Sequence, residues 1–92
     1  MSEFVKKGFS FQKLDENNNK IAHIMFPKER DGVYNVKSTF VDESLRGQGV
    51  ADKLMRELID WAKEEDAKLM PTCSYAQKWL EKHPEEKDLF VE

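Results

Sequence analysis

The fold is decided by one stretch, Thr39-Phe40-Val41-Asp42-Glu43-Ser44-Leu45-Arg46-Gly47-Gln48-Gly49-Val50-Ala51, where an extended segment gives way to a glycine-containing loop and then to a helix. The first backbone N–H groups of a helix have no acceptor inside it and, with the positive end of the helix dipole, they attract anions. Gly47 and Gly49 can adopt positive φ and carry no Cβ, so the loop can form a concave nest of amides. Arg46 adds a positive charge at the rim. The stretch predicts an anion site, although an ordinary strand-to-helix turn would use the same glycines.

Two common glycine motifs do not fit this loop. The phosphate loop of nucleoside triphosphatases reads G-x-x-x-x-G-K-[ST], and the chain has no such run. A dinucleotide-binding fingerprint, G-x-G-x-x-G, would need a third glycine where Asp52 stands. The loop therefore belongs to neither class.

Length and charge narrow the class of protein further. A chain of 92 residues with 39% hydrophobic content predicts one small domain over residues 1–92 with a single core, and we expect a monomer. A formal net charge of −3 argues against a general nucleic-acid or anionic-membrane binder. Residues 1–7 lack the apolar core of an export signal, and one cysteine cannot form an internal disulfide, so a cytoplasmic location is expected.

The N-terminal half has the pattern of β-structure. Near-alternation of apolar and polar residues predicts strands at 9–13 and 21–26, and the asparagine-rich residues 15–20 between them predict an antiparallel hairpin. Residues 27–32, which begin with a proline, should end the second strand and form a turn. One long third strand is expected over residues 33–41, and its end delivers the chain to the glycine loop.

From Gly49 onward the apolar period changes to about 3.6 residues, which predicts a long amphipathic helix. Its apolar face comprises Ala51, Leu54, Met55, Leu58, Ile59 and Ala62. The opposite face, which includes Asp52 and Arg56, is expected to be a solvated charged surface.

A short strand and a second helix complete the chain. Residues 68–73 are expected to form a strand parallel to the third one, closing a β-α-β crossover. Residues 75–82 predict a shorter helix that has Ser74 as its N-cap and stops at His83-Pro84. The apolar residues 89–91 should dock on the sheet, with the last residue frayed. The predicted class is α+β, with a three-stranded antiparallel sheet, a crossover to a parallel strand and a short C-terminal helix.

Several motifs together are similar to those of a known family. Arg46-Gly47-Gln48-Gly49-Val50-Ala51 resembles the [RQ]-x-x-G-x-[GA] loop of the GNAT superfamily of N-acetyltransferases, which in that family holds the pyrophosphate of acetyl-coenzyme A. Pro71-Thr72-Cys73-Ser74-Tyr75, Lys78-Trp79 and His83-Pro84-Glu85 extend the resemblance to about residues 9–90, and they are similar to the minimal, single-domain YjdJ-like branch. The resemblance implies a GNAT-like core in which the third and parallel strands splay apart, leaving a slot for acetyl-coenzyme A.

The resemblance also assigns roles to residues. In the family, backbone groups of the strand before the loop bond the pantetheine arm, and here these fall on Phe40 and Val41, with Thr39 beside them. An N–H near Val41 would stabilise the oxyanion of acyl transfer, which makes Val41 a catalytic candidate. Amides of the loop would cradle the pyrophosphate, while Cys73 and the helix after it would line the far wall. The implied cofactor-binding set comprises Thr39, Phe40, Val41, Arg46, Gly47, Gln48, Gly49, Val50, Ala51, Cys73 and Tyr75.

The proton carriers of such a reaction are harder to assign. Many GNAT enzymes use a tyrosine of the last helix as the acid, and the aligned position in this chain is Leu80. Cys73 is the best remaining catalytic candidate, since a thiol could protonate the leaving sulfur and a thiolate could attack the thioester. A small buried residue, or a thiol that only forms an adventitious disulfide with coenzyme A, fits Cys73 equally well. Tyr75 is a weaker candidate acid, because a core position suits it better.

Neither histidine has the surroundings of a catalytic group. His23 lies within a strand without an acidic partner at a suggestive spacing, and His83 lies at a helix C-terminus, where it would stabilise the carbonyl ends. Cys73 and the two histidines lack metal-ligand spacing, so no metal is predicted.

Three functions stay open on the sequence. The first is an acetyl-coenzyme A-dependent N-acetyltransferase whose amine acceptor, on a protein, a peptide or a small molecule, is unknown. The second is a module that binds coenzyme A with little turnover, which the short chain and the missing tyrosine favour. The third is a structural role in which the sheet around Tyr34 serves a partner protein.

Overall fold

Two β-sheets pack on one long helix in the computed structural model, which describes residues 4–91. Residues 1–3 and 92, which bear on the predictions about an export signal and a frayed end, lie outside that range. One sheet is antiparallel, with the order β1 (Val5–Lys6), β2 (Ser10–Leu14), β3 (Lys20–Met25) and β6 (Ser38–Val41). The other contains β4 (Lys28–Arg30), β5 (Val33–Asn35) and β7 (Lys68–Met70). The helices are α1 (Val50–Glu64) and α2 (Ser74–Lys82).

The predicted hairpin is confirmed in β2 and β3, which pair antiparallel with Phe11 opposite Ile24. Its turn is built by Asp15, whose carboxylate accepts the backbone N–H groups of Asn17 at 2.8 Å and Asn19 at 2.9 Å. Asn18 takes a φ of 66°, a left-handed conformation that asparagine tolerates better than most residues. The asparagine-rich composition therefore acts through specific side-chain and backbone preferences.

The single long strand predicted over residues 33–41 is wrong, because the segment divides into β5 and β6 in different sheets. The chain passes from one sheet to the other between Val36 and Lys37. Val36 donates its N–H to the Met70 carbonyl of β7 at 2.9 Å, and Lys37 donates to the Met25 carbonyl of β3 at 3.0 Å. The turn predicted over residues 28–32 is also corrected, since its first half forms the exposed strand β4 beside β5.

The crossover through α1 returns the chain to a parallel strand, as predicted, but this strand ends at Met70 and does not extend to residue 73. Strand β7 pairs in parallel with β5, with Tyr34 opposite Leu69 and Asn35 opposite Met70. Strand β6 pairs with β3 and is in the other sheet, so β6 and β7 diverge beyond Val36. This divergence is the splayed strand pair that the GNAT resemblance implied.

The core lies between α1 and the sheets. The predicted face of α1 is confirmed except at its first position, where Val50 is buried and Ala51 is half-exposed. Complete burial of a residue such as Leu58 contributes roughly 1.5–3 kcal/mol. The buried residues of α1 are Val50, Leu54, Met55, Leu58, Ile59 and Ala62.

Helix α2 begins one residue earlier than predicted. Its N-cap is Cys73, whose sulfur accepts the Ala76 N–H at 3.4 Å, and Ser74 is the first helical residue. His83 ends the helix, as predicted, and an unpredicted 3-10 helix follows at Pro84–Leu89. The end of the chain docks as expected, because the N–H of Val91 donates to the Leu69 carbonyl at 2.7 Å.

Candidate functional site

The loop between β6 and α1 is shaped by its own side chains. Asp42 caps a short 3-10 helix at Glu43–Leu45, and its carboxylate accepts the backbone N–H of Ser44 at 3.0 Å and the Ser44 hydroxyl at 2.6 Å. Gly47 and Gly49 then take φ values of 84° and 74°, in the region that favours glycine. These two positive φ values turn the backbone into the start of α1, whose N-cap is Gly49.

The start of α1 presents unpaired amides to this loop. Lys53 donates its backbone N–H to the Gly49 carbonyl at 3.1 Å, so the amides of Val50, Ala51 and Asp52 precede the regular helical ladder. A Cβ built on Gly47 or on Gly49 would meet no atom within 4 Å. The two glycines therefore border open space next to the first turn of α1, where an anion nest needs room for its ligand.

A cavity of about 270 Å³ adjoins the nest and is closed on one side by α2. It brings together most of the residues that the sequence assigned to the site. Leu45 and Asp52 also line it, and the sequence had placed Asp52 on a solvated surface. Gln48, Thr39, Phe40 and Cys73 lie outside this cavity. The cavity is lined by Val41, Leu45, Arg46, Gly47, Gly49, Val50, Ala51, Asp52 and Tyr75.

The edge of β6 that faces away from β3 carries free backbone groups. Val41 lies opposite Ala22 and Phe40 opposite His23, and the N–H of Asp42 bonds the Ile21 carbonyl at 2.8 Å. Because bonded and non-bonded pairs alternate along an antiparallel ladder, the Phe40 backbone is directed at β3. The backbone groups of Thr39 and Val41 point to the free edge. Of the three residues predicted to bond a pantetheine arm, Thr39 and Val41 have the required orientation and Phe40 does not.

Cys73 lies across the slot from β6. Its backbone N–H donates to the Val36 carbonyl at 3.0 Å, at the point where β5 and β6 divide. Its sulfur lies 3.8 Å from the Thr39 hydroxyl and accepts the Ala76 N–H. The thiol is thus fixed at the narrow end of the slot, half-buried and next to the strand edge that carries Val41.

Asp52 links α1 to α2. One carboxylate oxygen accepts the indole N–H of Trp79 at 2.8 Å, and the other accepts the Arg56 Nε–H at 2.8 Å. Burial alone would raise the pKa of Asp52, but the hydrogen bonds from Arg56 and Trp79 outweigh it and hold the pKa below the usual value. The ion pair of Asp52 and Arg56 was not predicted, although their i,i+4 spacing is a local signal for it. The bond to Trp79 joins residues 27 positions apart and had no local signal.

Tyr75 is the tyrosine that the structure places at the cavity. Burial raises the pKa of its hydroxyl, and the nearby Asp52 carboxylate raises it further, so the phenol is a weaker acid than an ordinary tyrosine. Leu80, where the resemblance leads one to expect a tyrosine, does not line this cavity.

The histidines occupy the positions predicted for them. His23 is half-buried in β3, where burial first and Lys20 second lower the pKa of its imidazole. His83 stacks on Trp79 with ring centroids 4.0 Å apart, and its Nδ1 lies 2.8 Å from the Trp79 carbonyl oxygen. Within residues 4–91, no three His, Cys, Asp or Glu side chains form a group that could hold a metal ion. In the same range no helix has the length and apolar character needed to cross a membrane.

A free strand edge that continues into an amide nest suits an elongated ligand with an anionic group, and this is the class of site that the fold defines. The chain belongs to the GCN5-related N-acetyltransferase family, whose family model matches residues 9–89. This membership confirms the GNAT resemblance. The YjdJ-like branch stays a prediction.

Similar proteins agree with this assignment. A GCN5-like protein from Staphylococcus aureus, solved by NMR, has a TM-score of 0.81 at 30% identity over 97% of this chain and 87% of that one. A GNAT acetyltransferase from the same species has a TM-score of 0.58 at 20% identity over 65% of this chain and 38% of its own, a likeness of fold alone. Protein NATD1 from Homo sapiens is 35% identical over 52 residues. The chain spans about half the length of the curated relatives it matches, 46% in the human case.

Proposed function

We propose that this protein transfers the acetyl group of acetyl-coenzyme A to an amine carried by a protein, a peptide or a small molecule. The observation that carries the proposal is the continuity of three features: the free edge of β6 at Val41, the amide nest at Gly47 and Gly49, and the wall supplied by Tyr75. The single cysteine and the net charge of −3 support a reducing, cytoplasmic setting without nucleic acid or membrane.

The residues of the site fit coenzyme A. Open space at Gly47 and Gly49 lets a diphosphate approach the amides of Val50 and Ala51, and the Arg46 guanidinium can neutralise part of its charge. An extended pantetheine arm contains amides that match the alternating N–H and C=O groups of a strand edge. The free edge at Thr39 and Val41 supplies such groups and leads towards Cys73.

When bound, the thioester supplies an activated acetyl carbonyl. The Val41 N–H at the free edge would donate to the carbonyl oxygen and stabilise negative charge there. The Cys73 thiol, held near Thr39, would give its proton to the departing sulfur. The Tyr75 hydroxyl is a second candidate proton donor, although its raised pKa makes it a weaker acid than an ordinary tyrosine.

Titration calorimetry tests the binding step. We expect heat on adding coenzyme A and acetyl-coenzyme A, and a mixture of free pantetheine and pyrophosphate should bind less tightly, because one molecule engages strand edge and nest together. No heat at millimolar coenzyme A would reject the proposal and would favour the structural role around Tyr34.

Thiol release from acetyl-coenzyme A across a panel of amines tests the chemistry. If Cys73 carries the proton, Cys73→Ala and Cys73→Ser should both slow release by about 10²-fold or more. Comparing the two variants separates the loss of the thiol from the loss of the helix cap. Serine can still accept the Ala76 N–H and cap α2, whereas alanine cannot and should lower the free energy of unfolding by about 1 kcal/mol. Rates equal to the parent in both variants would remove Cys73 from the mechanism.

A module that binds coenzyme A with little turnover is the second candidate. Leu80 favours it, because this chain lacks the tyrosine that serves as acid in many GNAT enzymes. The same assay separates the two candidates. Tight binding without release of thiol above the buffer rate, for every amine tested, would establish the module.

A further inference from the structure

Three aromatic rings meet at the surface where the two sheets adjoin α1. Phe9 directly precedes β2, Tyr34 belongs to β5 and Trp61 belongs to α1. The centroid of the Tyr34 ring lies 5.4 Å from that of Phe9 and 5.0 Å from that of Trp61, the second pair in a T-shaped arrangement that aromatic rings favour. Phe9 is 45% exposed and the other two rings are half-buried. These three residues form an aromatic corner, and none of them lines the cavity beside the amide nest.

The aromatic corner holds a cation, the ammonium group of Lys6. This ammonium lies 5.8 Å from the centroid of the Phe9 ring and 5.7 Å from that of Trp61, within the range of cation–π attraction. It also donates a hydrogen bond to the Gly8 carbonyl oxygen at 2.9 Å. Two aromatic rings and one carbonyl oxygen thus contact a single ammonium group.

The Lys6 side chain can leave the aromatic corner without breaking β1. Lys6 is exposed, and its backbone pairs opposite Phe11 whatever its side chain does. The ammonium is carried by a flexible chain of four carbons, and its cation–π contacts are weak at an exposed site. The corner is therefore a cation site that exchanges its own occupant with solvent.

We propose that the aromatic corner binds a lysine side chain of a partner polypeptide in exchange for Lys6. This inference goes beyond the proposed function and does not rest on it. A primary ammonium fits better than a quaternary one, because only a group with N–H bonds can donate to the Gly8 carbonyl oxygen. A polypeptide fits better than a free amine, because a weak contact gains strength when it is one of several linked contacts. The net charge of −3 also favours a basic partner.

Titration with a pentalysine peptide tests the exchange, with heteronuclear NMR following the indole N–H of Trp61 and the amide of Gly8. Lys6→Gln removes the internal occupant. Lys7→Gln is the matched control, because it removes the same charge from the neighbouring exposed lysine, which contacts no aromatic ring within residues 4–91. Lys6→Gln should bind pentalysine about two- to fivefold more tightly than Lys7→Gln, with shifts of both signals.

Two further comparisons in the Lys6→Gln protein test which groups form the site. Phe9→Leu should weaken the binding of pentalysine, whereas Phe40→Leu, which replaces a similarly exposed ring outside the corner, should not. A pentapeptide of trimethylated lysines should bind less tightly than pentalysine, because it cannot donate to the Gly8 carbonyl oxygen. The Nε-acetylated pentapeptide carries no cation and should shift neither signal.

Equal affinities of Lys6→Gln and Lys7→Gln for pentalysine would overturn the proposal, and so would an unchanged affinity after Phe9→Leu. Equal or tighter binding of the trimethylated peptide would overturn the choice of a primary ammonium as the ligand. Thermal unfolding verifies the fold of each variant, and if Phe9→Leu does not fold, the comparison of Lys6→Gln with Lys7→Gln still decides. These titrations contain no coenzyme A, so their failure would leave the proposed function standing.

Discussion

Replacing Gly49 by alanine should separate the cost of a strained backbone from the loss of a ligand site. Gly49 has a φ of 74° and a Cβ there would meet no atom within 4 Å, so the variant suffers conformational strain without a clash. A non-glycine residue in the left-handed region costs about 1–2 kcal/mol. For a domain of this size that lowers the melting temperature by about 4–8 °C per kcal/mol.

Gly32 offers a matched control in the turn between β4 and β5. Its φ is 76° and its Cβ position is also empty, so Gly32→Ala should lose the same stability as Gly49→Ala. Only at Gly49 does the added methyl group project beside the nest. A phosphate held back by that group loses a charge-assisted hydrogen bond, which weakens binding about tenfold or more.

Urea unfolding and calorimetric titration of coenzyme A measure both quantities on the same proteins. The reasoning predicts equal losses of stability and unequal losses of affinity. Equal affinities of Gly49→Ala and Gly32→Ala for coenzyme A would refute the placement of the diphosphate at Gly49. A far larger loss of stability at Gly49 would refute the claim that its surroundings are open.

Three further predictions concern the core and two titrating groups. Leu58→Ala, at a fully buried position of α1, should lower the free energy of unfolding by about 2–5 kcal/mol in urea titration. A loss below about 1 kcal/mol would contradict this and would mean that neighbouring side chains fill the space left by the leucine. Because the folded pKa of Asp52 lies below its unfolded value of about 3.9, its ionised form stabilises the fold above that pH and loses this contribution as the pH falls through the folded pKa. Asp52→Asn should therefore cost more stability at pH 7 than at pH 3, and a constant difference would contradict the assignment. The imidazole of His23 should titrate below about 6.5 by NMR. The parent should therefore lose stability as the pH falls from about 7 to about 5, and His23→Gln should lose less. An imidazole pKa above 6.5 would contradict the burial of His23.

The elements that sequence reasoning found are those whose signal is local and repeated. The period of α1 extends over several turns, and the hairpin has both alternation and a turn rich in asparagine. The glycine loop was recognised because Gly47 and Gly49 permit the positive φ values that the loop uses, and because the motif around them is local. Each of these signals resides within a continuous segment, so no knowledge of distant contacts is needed.

The errors arose where pairing with distant strands decides the structure. Nothing in the local sequence at Val36 and Lys37 ends a strand, since neither glycine nor proline is present. The break follows from hydrogen bonds to Met70 on one side and to Met25 on the other. Strand β4 has the composition of a turn and is a strand through its pairing with β5.

The sequence analysis predicted the general arrangement of the site through family resemblance and did not predict its detailed contacts. Family resemblance placed Val41, the glycine loop and Tyr75 together, and the structure joins them in one cavity. It could not give the orientation of Phe40, which follows from the register of β6 against β3. Nor could it show that Asp52 bonds Trp79, because periodicity alone puts Asp52 on the polar face of α1.

The anchoring of residue 73 has a consequence for the evolution and the chemical modification of this site. The tie between α2 and the divided strand is made by the backbone amide of Cys73 to Val36, which any residue except proline can supply. The side chain at this position can therefore vary in acidity and nucleophilicity while the end of the slot keeps its place. Selenocysteine introduced by peptide ligation would alter the reactive atom and leave that tether in position. The tether to the divided strand and the reactive sulfur are thus different atoms of one residue, and the sulfur adds the cap of α2.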